Sequence, residues 1–176
     1  IYAINMSTGG ATMVGVLPLT TTLSGTSFGF DFNPTVDRIR LVSDSGQNLR
    51  LHPDLGTVVA TDANLNPGTP SVNAAAYTNN FAGATTTALY VIDSTTNMLY
   101  TQNPPNAGTL VPVGALGFDV DASSGFDIGG SSNAAFALLK VNNVTSVYAI
   151  NLMTGAATKI TDLSIQPTAM TLGLGF

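Results

Sequence analysis

The sequence contains no cysteine, no tryptophan and no glutamate, and it has few charges of either sign. Without cysteine, disulfides, thiol chemistry and cysteine-ligated zinc are excluded. Only five residues are basic and 9% are charged, against roughly 25% in an average globular protein. Because no basic patch can neutralise phosphates, we expect no nucleic-acid binding. No apolar run approaches the ~20 residues of a membrane helix, so we also expect no membrane insertion.

Polarity comes instead from neutral residues, among them 24 Thr, 18 Gly and 15 Asn. Thr favours strands, whereas Gly and Asn favour tight turns with positive φ. No stretch has a sustained helical period with caps. The composition therefore predicts an all-β fold with many short strands in one domain over residues 1–176. A lysine-poor surface rich in Thr, Asn and Gly is typical of bacterial secreted and surface proteins.

An internal repeat is the strongest pattern in the sequence. A Tyr-Ala-Ile-Asn motif, followed four residues later by Gly, begins at Tyr2 and recurs at Tyr148. Two diverged copies are centred on Arg50 and Tyr100, which places the four anchors 48, 50 and 48 residues apart. Such a fixed period indicates a structural unit that is used four times.

A second anchor, a Gly-Phe-Asp triplet or a related one, follows the same period. We predict repeats that start near residues 29, 76 and 125, with a terminal repeat divided between 1–16 and 168–176. Each period carries four strand-like runs, which we name A to D in chain order, and strand B of the first complete repeat is predicted at Arg38–Ser43. Four four-stranded repeats of this length predict a small β-propeller-like fold, and a β-sandwich is the alternative.

The terminal repeat lacks a strand B. The sequence begins in strand C, at Tyr2 and Ile4, and ends in strand A, at Thr171–Phe176. A sheet that misses one strand exposes backbone N–H and C=O groups that pair readily with another strand. The blade could close within one chain, or the slot could be filled by a removed segment, by a partner strand, or head-to-tail by the terminal strands of another copy. The predicted self-association residues are Leu172, Gly173, Leu174, Gly175, Phe176, Tyr2 and Ile4.

Several strings in these strands resemble a family of secreted bacterial domains, domain of unknown function 4394. The strings are Leu23–Pro34, Asp37–Arg40, Gly46–Leu51, Ala75–Asn80 and Gln102–Leu110. The resemblance implies an extracellular or bacterial cell-surface protein and brings no catalytic residues. In that family, strands A and B precede the first Tyr-Ala-Ile-Asn unit, and this sequence lacks them.

Candidate metal and catalytic residues are sparse. His52 is the only histidine, so a multi-histidine metal site is excluded and we interpret His52 as a turn residue. The densest run of oxygen ligands, which makes calcium a candidate ligand, is Asp119, Asp121, Asp127 and Asn133.

Two further groups of charged residues have structural interpretations. Asp31 and Asp127 occupy equivalent repeat positions, which favours a structural role over a pair of carboxylates that hydrolyse glycosides. In the first complete repeat we expect a ladder of ion pairs between arginines and aspartates. Its members would be Arg38, Arg40, Arg50, Asp37, Asp44 and Asp54.

These patterns predict a non-enzymatic, extracellular or cell-surface protein with a structural or adhesive role. We expect it to self-associate through its terminal strands into an ordered assembly such as a filament, so that its partner is itself and it needs no cofactor. The alternative is a monomeric propeller that binds a glycan or calcium. A hydrolase that uses Asp31 and Asp127 is a third hypothesis.

Overall fold

The structure, a computed structural model, describes residues 1–15 and 18–173, without the side chains of residues 122–124. Its regular elements are β-strands and one short 3-10 turn at Pro105–Ala107. Within the described residues, no helix has the length and hydropathy needed to cross a membrane. The prediction of an all-β fold is confirmed.

The strands are short and succeed one another through tight turns. They are β1 (Tyr2–Ile4), β2 (Ala11–Met13), β3 (Phe28–Asn33), β4 (Arg38–Ser43), β5 (Asn48–Leu51), β6 (Val58–Thr61), β7 (Val72–Tyr77), β8 (Leu89–Asp93), β9 (Met98–Gln102), β10 (Leu110–Ala115), β11 (Ala122–Ile128), β12 (Ala135–Val141), β13 (Val144–Ile150) and β14 (Ala157–Asp162). Three antiparallel sheets contain β3–β6, β7–β10 and β11–β14, each with its strands in chain order, and β1 pairs with β2 in a two-stranded sheet.

The first strands of the three large sheets pack against one another, with β7 in contact with both β3 and β11. The approach is close at Gly29, where an added Cβ would lie 2.6 Å from the backbone N of Ala75. At Gly125, an added Cβ would lie 2.7 Å from the backbone N of Met170. Only glycine allows backbones to come this near. These four-stranded meanders are compatible with the propeller-like arrangement and with the sandwich alternative.

The core lies in three clusters of buried apolar side chains. The largest joins the second and third sheets and includes Leu99, Leu139 and Tyr148. Phe118 packs edge-on against Tyr148, with ring centroids 5.1 Å apart. Each fully buried side chain of this size contributes about 1.5–3 kcal/mol. The sheets therefore hold together mainly through apolar burial between them.

The strand positions follow the sequence prediction closely, except at the end of the chain. Strand B of the first complete repeat was predicted at Arg38–Ser43, and β4 has those bounds. The predicted strand A at Thr171–Phe176 is wrong for residues 171–173, which form no strand. A strand needs a hydrogen-bonded neighbour to complete its ladder, and no described strand forms a backbone ladder with residues 171–173. Residues 174–176 lie outside the described residues.

The turn after strand C fixes the register of the repeats. Asn5 and Asn151 each accept two backbone N–H groups from the residues two and three positions further on. His52 Nδ1 accepts the equivalent pair, from Asp54 and Leu55. Tyr2 lies three residues before Asn5, and Leu49 lies three residues before His52. The structural equivalent of Tyr2 is therefore Leu49 and not Arg50. The sequence anchor at Arg50 is therefore wrong by one residue.

Candidate functional site

One edge of β1 is unpaired within the described residues. Its other edge pairs with β2, and the backbone hydrogen bonds that flank this pair belong to Ile1 and Asn5. Bonding alternates from residue to residue along an antiparallel ladder. The N–H and C=O groups of Tyr2 and Ile4 therefore point away from β2, toward the open edge.

The side chains of this small sheet are exposed as well. The side chains of Tyr2 and Ile4 are 61% and 55% exposed, and that of Met13, opposite Tyr2, is 47% exposed. An unpaired edge with exposed apolar side chains is a template for a further strand. The two N-terminal residues predicted to mediate self-association thus share one accessible edge.

The same motif is buried in the third sheet. Tyr148 is 2% exposed and Ile150 is 6% exposed. There, β12 lies beside β13, with Ala137 opposite Tyr148 and Ala135 opposite Ile150. The buried copy of the motif therefore has β12 beside it and the second sheet packed against it, whereas β1 has no strand at its open edge among the described residues.

The C-terminal segment lies against β11 of the third sheet, not against β1. Leu172 N donates to Asp127 Oδ2 at 2.7 Å, and Thr171 Oγ1 donates to the same oxygen at 3.1 Å. Gly173 is exposed, and an added Cβ would meet no atom within 4 Å. No hydrogen bond joins this segment to β1 in the described part of the chain. The predicted site residues Leu174, Gly175 and Phe176 lie outside the described residues.

Asp31 links the first two large sheets in the same way. Its Oδ2 accepts the backbone N–H of Tyr77 at 2.6 Å, while Oδ1 accepts the N–H of Phe32 at 2.7 Å. Asp127 likewise accepts the N–H of its own neighbour, Ile128, at 2.8 Å. The two carboxylates therefore hold equivalent bridging positions.

A cleft of about 630 Å³ opens at these carboxylates. Asp31, Asp37 and Asp127 contribute to its lining, together with the exposed ring of Phe81. Burial is the main cause that raises the pKa of Asp31 to about 7, and the charge of Asp127 adds to it. Hydrogen bonds from backbone N–H groups and from Asn80 oppose this rise. No basic residue lines the cleft among the described residues, so its field favours neutral or cationic ligands.

The arginines of the first sheet share a partner that the sequence analysis missed. Arg40 Nη1 donates to Asp62 Oδ2 at 2.7 Å, and Arg50 binds both oxygens of Asp62 at 2.8 and 2.9 Å. Arg40 is 2% exposed and also donates to Asn48 and Asn106. Burial alone would raise the pKa of Asp62, but the hydrogen bonds from Arg50 and Arg40 hold it below its ordinary value.

The expected ladder is therefore wrong in its acidic members. Asp44 binds the backbone and hydroxyl of Thr26 instead, at 2.8 and 2.7 Å. Arg38 donates to the backbone oxygen of Asp37, not to a carboxylate. The ion pairs converge on Asp62 because β5 pairs with β6, which ends next to it.

The family of the chain follows from its match to a protein-family model. A family model described as "Domain of unknown function (DUF4394)" matches residues 1–173. The chain belongs to the DUF4394 family. No curated protein matches the chain.

The candidate calcium ligands of the DUF4394 chain form hydrogen bonds with different partners. Asp119 accepts a hydrogen bond from Asn97, and Asp121 accepts the N–H of Asn143. Asn133 exchanges two hydrogen bonds with Asn79. The described residues contain no group of three or more acidic or histidine side chains placed to hold a metal ion.

Some residues of the DUF4394 chain gave little signal in the sequence. Asp62 was missed because its role depends on pairing between β5 and β6 rather than on a local motif. The sequence carried a weak signal for Asp62, because Asp62 and Asp162 lie two repeat periods apart. In the structure, each of them forms an ion pair. The position of Leu172 against Asp127 was not predicted either, although Asp31 and Asp127 were recognised as equivalent.

Proposed function

We propose that this DUF4394 chain is a non-enzymatic structural or adhesive protein of the cell surface or extracellular space. It self-associates through its terminal β-strands into an ordered assembly such as a filament. The observation that carries the proposal is the exposure of Tyr2 and Ile4, whose counterparts Tyr148 and Ile150 are buried.

Covering the edge of β1 has two favourable terms. Burying a large apolar side chain is worth about 1.5–3 kcal/mol. A new strand also satisfies the outward N–H and C=O groups of Tyr2 and Ile4, as in β-strand addition. Association costs translational and rotational freedom, so a single contact of this size is weak. An ordered assembly repeats the contact along its length and holds each copy at both ends.

The geometry of the contact favours polymers over symmetric dimers. The accepting edge belongs to β1, whereas the C-terminal segment, as far as it is described, lies beside β11. Two different surfaces form a heterologous contact, which closes into a ring or continues as a filament. The low charge content and the absence of cysteine suit an extracellular assembly that does not rely on disulfides.

The test compares two equally conservative surface changes. Ile4→Lys places a charge on the open edge of β1, and Val59→Lys places one on β6 at a similarly exposed position, 47% against 55%. We expect wild type and Val59→Lys to sediment as large species and to form ordered particles in negative-stain electron micrographs. Ile4→Lys should remain monomeric, because an edge lysine opposes strand addition.

Monomeric wild-type protein across the whole concentration range would contradict the proposal. Equal assembly of Ile4→Lys and wild type would contradict it too. Protease shaving of intact cells tests the location, and the protein should be lost from the cell surface before the cells lyse.

The cleft beside Asp31 and Asp127 favours a second candidate function, a monomeric propeller that binds a glycan or calcium. An exposed aromatic ring such as Phe81, set beside carboxylates, suits the apolar face and hydroxyls of a sugar. A glycan array and melting curves with and without calcium test this candidate. Asp127→Asn should abolish binding, whereas Asp54→Asn, in an exposed turn, should leave it unchanged.

A further inference from the structure

The third sheet shows what a covered Tyr-Ala-Ile strand has opposite it. The pairs between β12 and β13 are Ala135 with Ile150, Phe136 with Ala149, Ala137 with Tyr148, and Leu138 with Val147. Directly opposite side chains lie on the same face of a sheet. The large residues Tyr148 and Ile150 therefore face alanines, while Ala149 faces a phenylalanine. Small and large residues alternate in opposite phase over the first three pairs, and in the fourth pair Leu138 faces another large residue, Val147.

This complementarity is particular to the Tyr-Ala-Ile motif. In the first sheet, the diverged copy places Leu49 opposite Leu41 and Leu51 opposite Ile39, so large residues face large ones. A strand that covers β1, which carries the motif itself, should therefore follow the pattern of β12. It needs small residues opposite Tyr2 and Ile4 and a large residue opposite Ala3.

The C-terminal residues of this chain have that pattern. Residues 173–176 read Gly-Leu-Gly-Phe, and residues 135–138 of β12 read Ala-Phe-Ala-Leu. Both strings run small, large, small, large. Glycine opposite a tyrosine leaves at least as much room as the alanine found in β12.

We propose that Gly173–Phe176 of a second copy forms the strand beside β1, antiparallel to it and in the register of β12 on β13. The pairs would be Gly173 with Ile4, Leu174 with Ala3, Gly175 with Tyr2, and Phe176 with Ile1. This inference rests on the proposed self-association. It names the donor segment and its register, which self-association alone does not require.

The backbone geometry supports this register. Tyr2 and Ile4 each direct one N–H and one C=O toward the open edge, and in this register they meet Gly175 and Gly173. These are the hydrogen-bonded pairs of the new ladder. Ala3 and Leu174 then form a non-hydrogen-bonded pair, in which opposite Cα atoms are only about 4.5 Å apart.

The donor is a second copy because, within one molecule, the described C-terminal segment lies beside Asp127 and not beside β1. Leu172 occupies beside Asp127 the position that Tyr77 occupies beside Asp31, and Tyr77 is the last residue of β7. In the three large sheets, the shortest link from the first strand to the second is residues 34–37. Gly173, which directly follows Leu172, therefore lies where such a link begins. The exposed Gly173 is free to leave that surface toward a neighbour.

Cysteine cross-linking tests the register, and the native chain offers no competing thiol. Ala3→Cys protein is mixed with Leu174→Cys protein under a mild oxidant, and disulfide-linked dimers are measured on non-reducing gels. The expected pair suits a disulfide, which needs Cα atoms about 4.4–6.8 Å apart. In the matched control, Ala3→Cys is mixed with Gly175→Cys, whose side chain would point to the other face. We expect on the order of tenfold fewer dimers there.

The outcomes separate this inference from the proposed function. Assembly with equal cross-linking at Leu174→Cys and Gly175→Cys, or with none, overturns the register but leaves self-association standing. Absence of both assembly and cross-linking overturns both. A chain carrying Ala3→Cys and Leu174→Cys together that closes on itself in dilute solution overturns the second copy as donor.

Gly173→Val with Gly175→Val provides an independent readout. Bulk opposite Tyr2 and Ile4 should raise the concentration needed for assembly at least about tenfold, because overpacking destabilises the contact. The control Leu174→Val keeps an apolar side chain opposite Ala3, where the register expects one, and it should assemble like wild type. Unchanged assembly of the double glycine variant would overturn the register.

Discussion

The hairpins β1–β2 and β13–β14 carry the same Tyr-Ala-Ile-Asn motif in two different surroundings. Both form a two-stranded ladder closed by the same turn, in which an asparagine side chain accepts two backbone N–H groups. Tyr148 is nevertheless 2% exposed, and Tyr2 is 61% exposed. The motif specifies the strand and the turn locally, whereas burial comes from the core cluster in which the third sheet packs on the second.

The largest expected effect separates the two tyrosines. Tyr148→Ala removes a ring that packs against Phe118 in the largest core cluster, so unfolding should become easier by about 3–5 kcal/mol. Tyr2→Ala should cost within about 0.5 kcal/mol in the monomer, as exposed substitutions do. Urea unfolding of both variants under conditions that keep them monomeric measures the difference. Similar losses would mean that β1 is already covered in solution.

The ion pairs of the first and third sheets form the next comparison. Asp62→Asn leaves the buried Arg40 without its carboxylate, and we expect a loss of about 3 kcal/mol. Asp162→Asn breaks the exposed pair with Lys159 and should leave the urea midpoint unchanged. A small effect at Asp62 would show that Asn48 and Asn106 suffice to hold Arg40.

Asp31 makes the junction between the first two large sheets depend on pH. Its pKa is raised to about 7 from 3.8, so between these values the folded protein binds more protons than the unfolded chain. The free energy of unfolding should therefore be greatest at low pH and fall as the pH rises toward 7. We expect a contribution on the order of 2 kcal/mol between pH 5 and pH 8. Asp31→Asn should flatten this slope, and an unchanged slope would assign it to another group.

The smallest expected effect concerns the turn shared by the hairpins β1–β2, β5–β6 and β13–β14. His52 Nδ1 accepts N–H groups at 3.2 and 3.4 Å, whereas Asn151 Oδ1 accepts them at 2.9 and 3.1 Å. His52→Asn should therefore stabilise the protein by about 0.5 kcal/mol, and Asn151→His should destabilise it similarly. Thermal melting of the two variants measures both changes. A loss at His52→Asn would show that the imidazole has a role beyond the turn.

Local and non-local features differed in how well the sequence predicted them. Strand B at Arg38–Ser43 and the turn at His52 were predictable because alternation and turn chemistry act over a few residues. The partnership of Arg40 with Asp62 was not, since it depends on which strands become neighbours. The register at Arg50 was misjudged because a diverged repeat hides a shift of one residue.

The site residues show the same difference between local and non-local features. Tyr2 and Ile4 were selected from the repeat pattern as self-association residues, and both are exposed in the structure. The place of Leu172 could not be predicted, because it is set by a carboxylate from a different repeat.

The bridges made by Asp31 and Asp127 bear on how the repeats can diverge. Each aspartate captures a main-chain N–H of the following unit, from Tyr77 in one case and from Leu172 in the other. Every residue except proline offers that donor. This hydrogen bond therefore does not depend on the side chain of the donor residue, which can differ, as Tyr77 and Leu172 do, without loss of the bond.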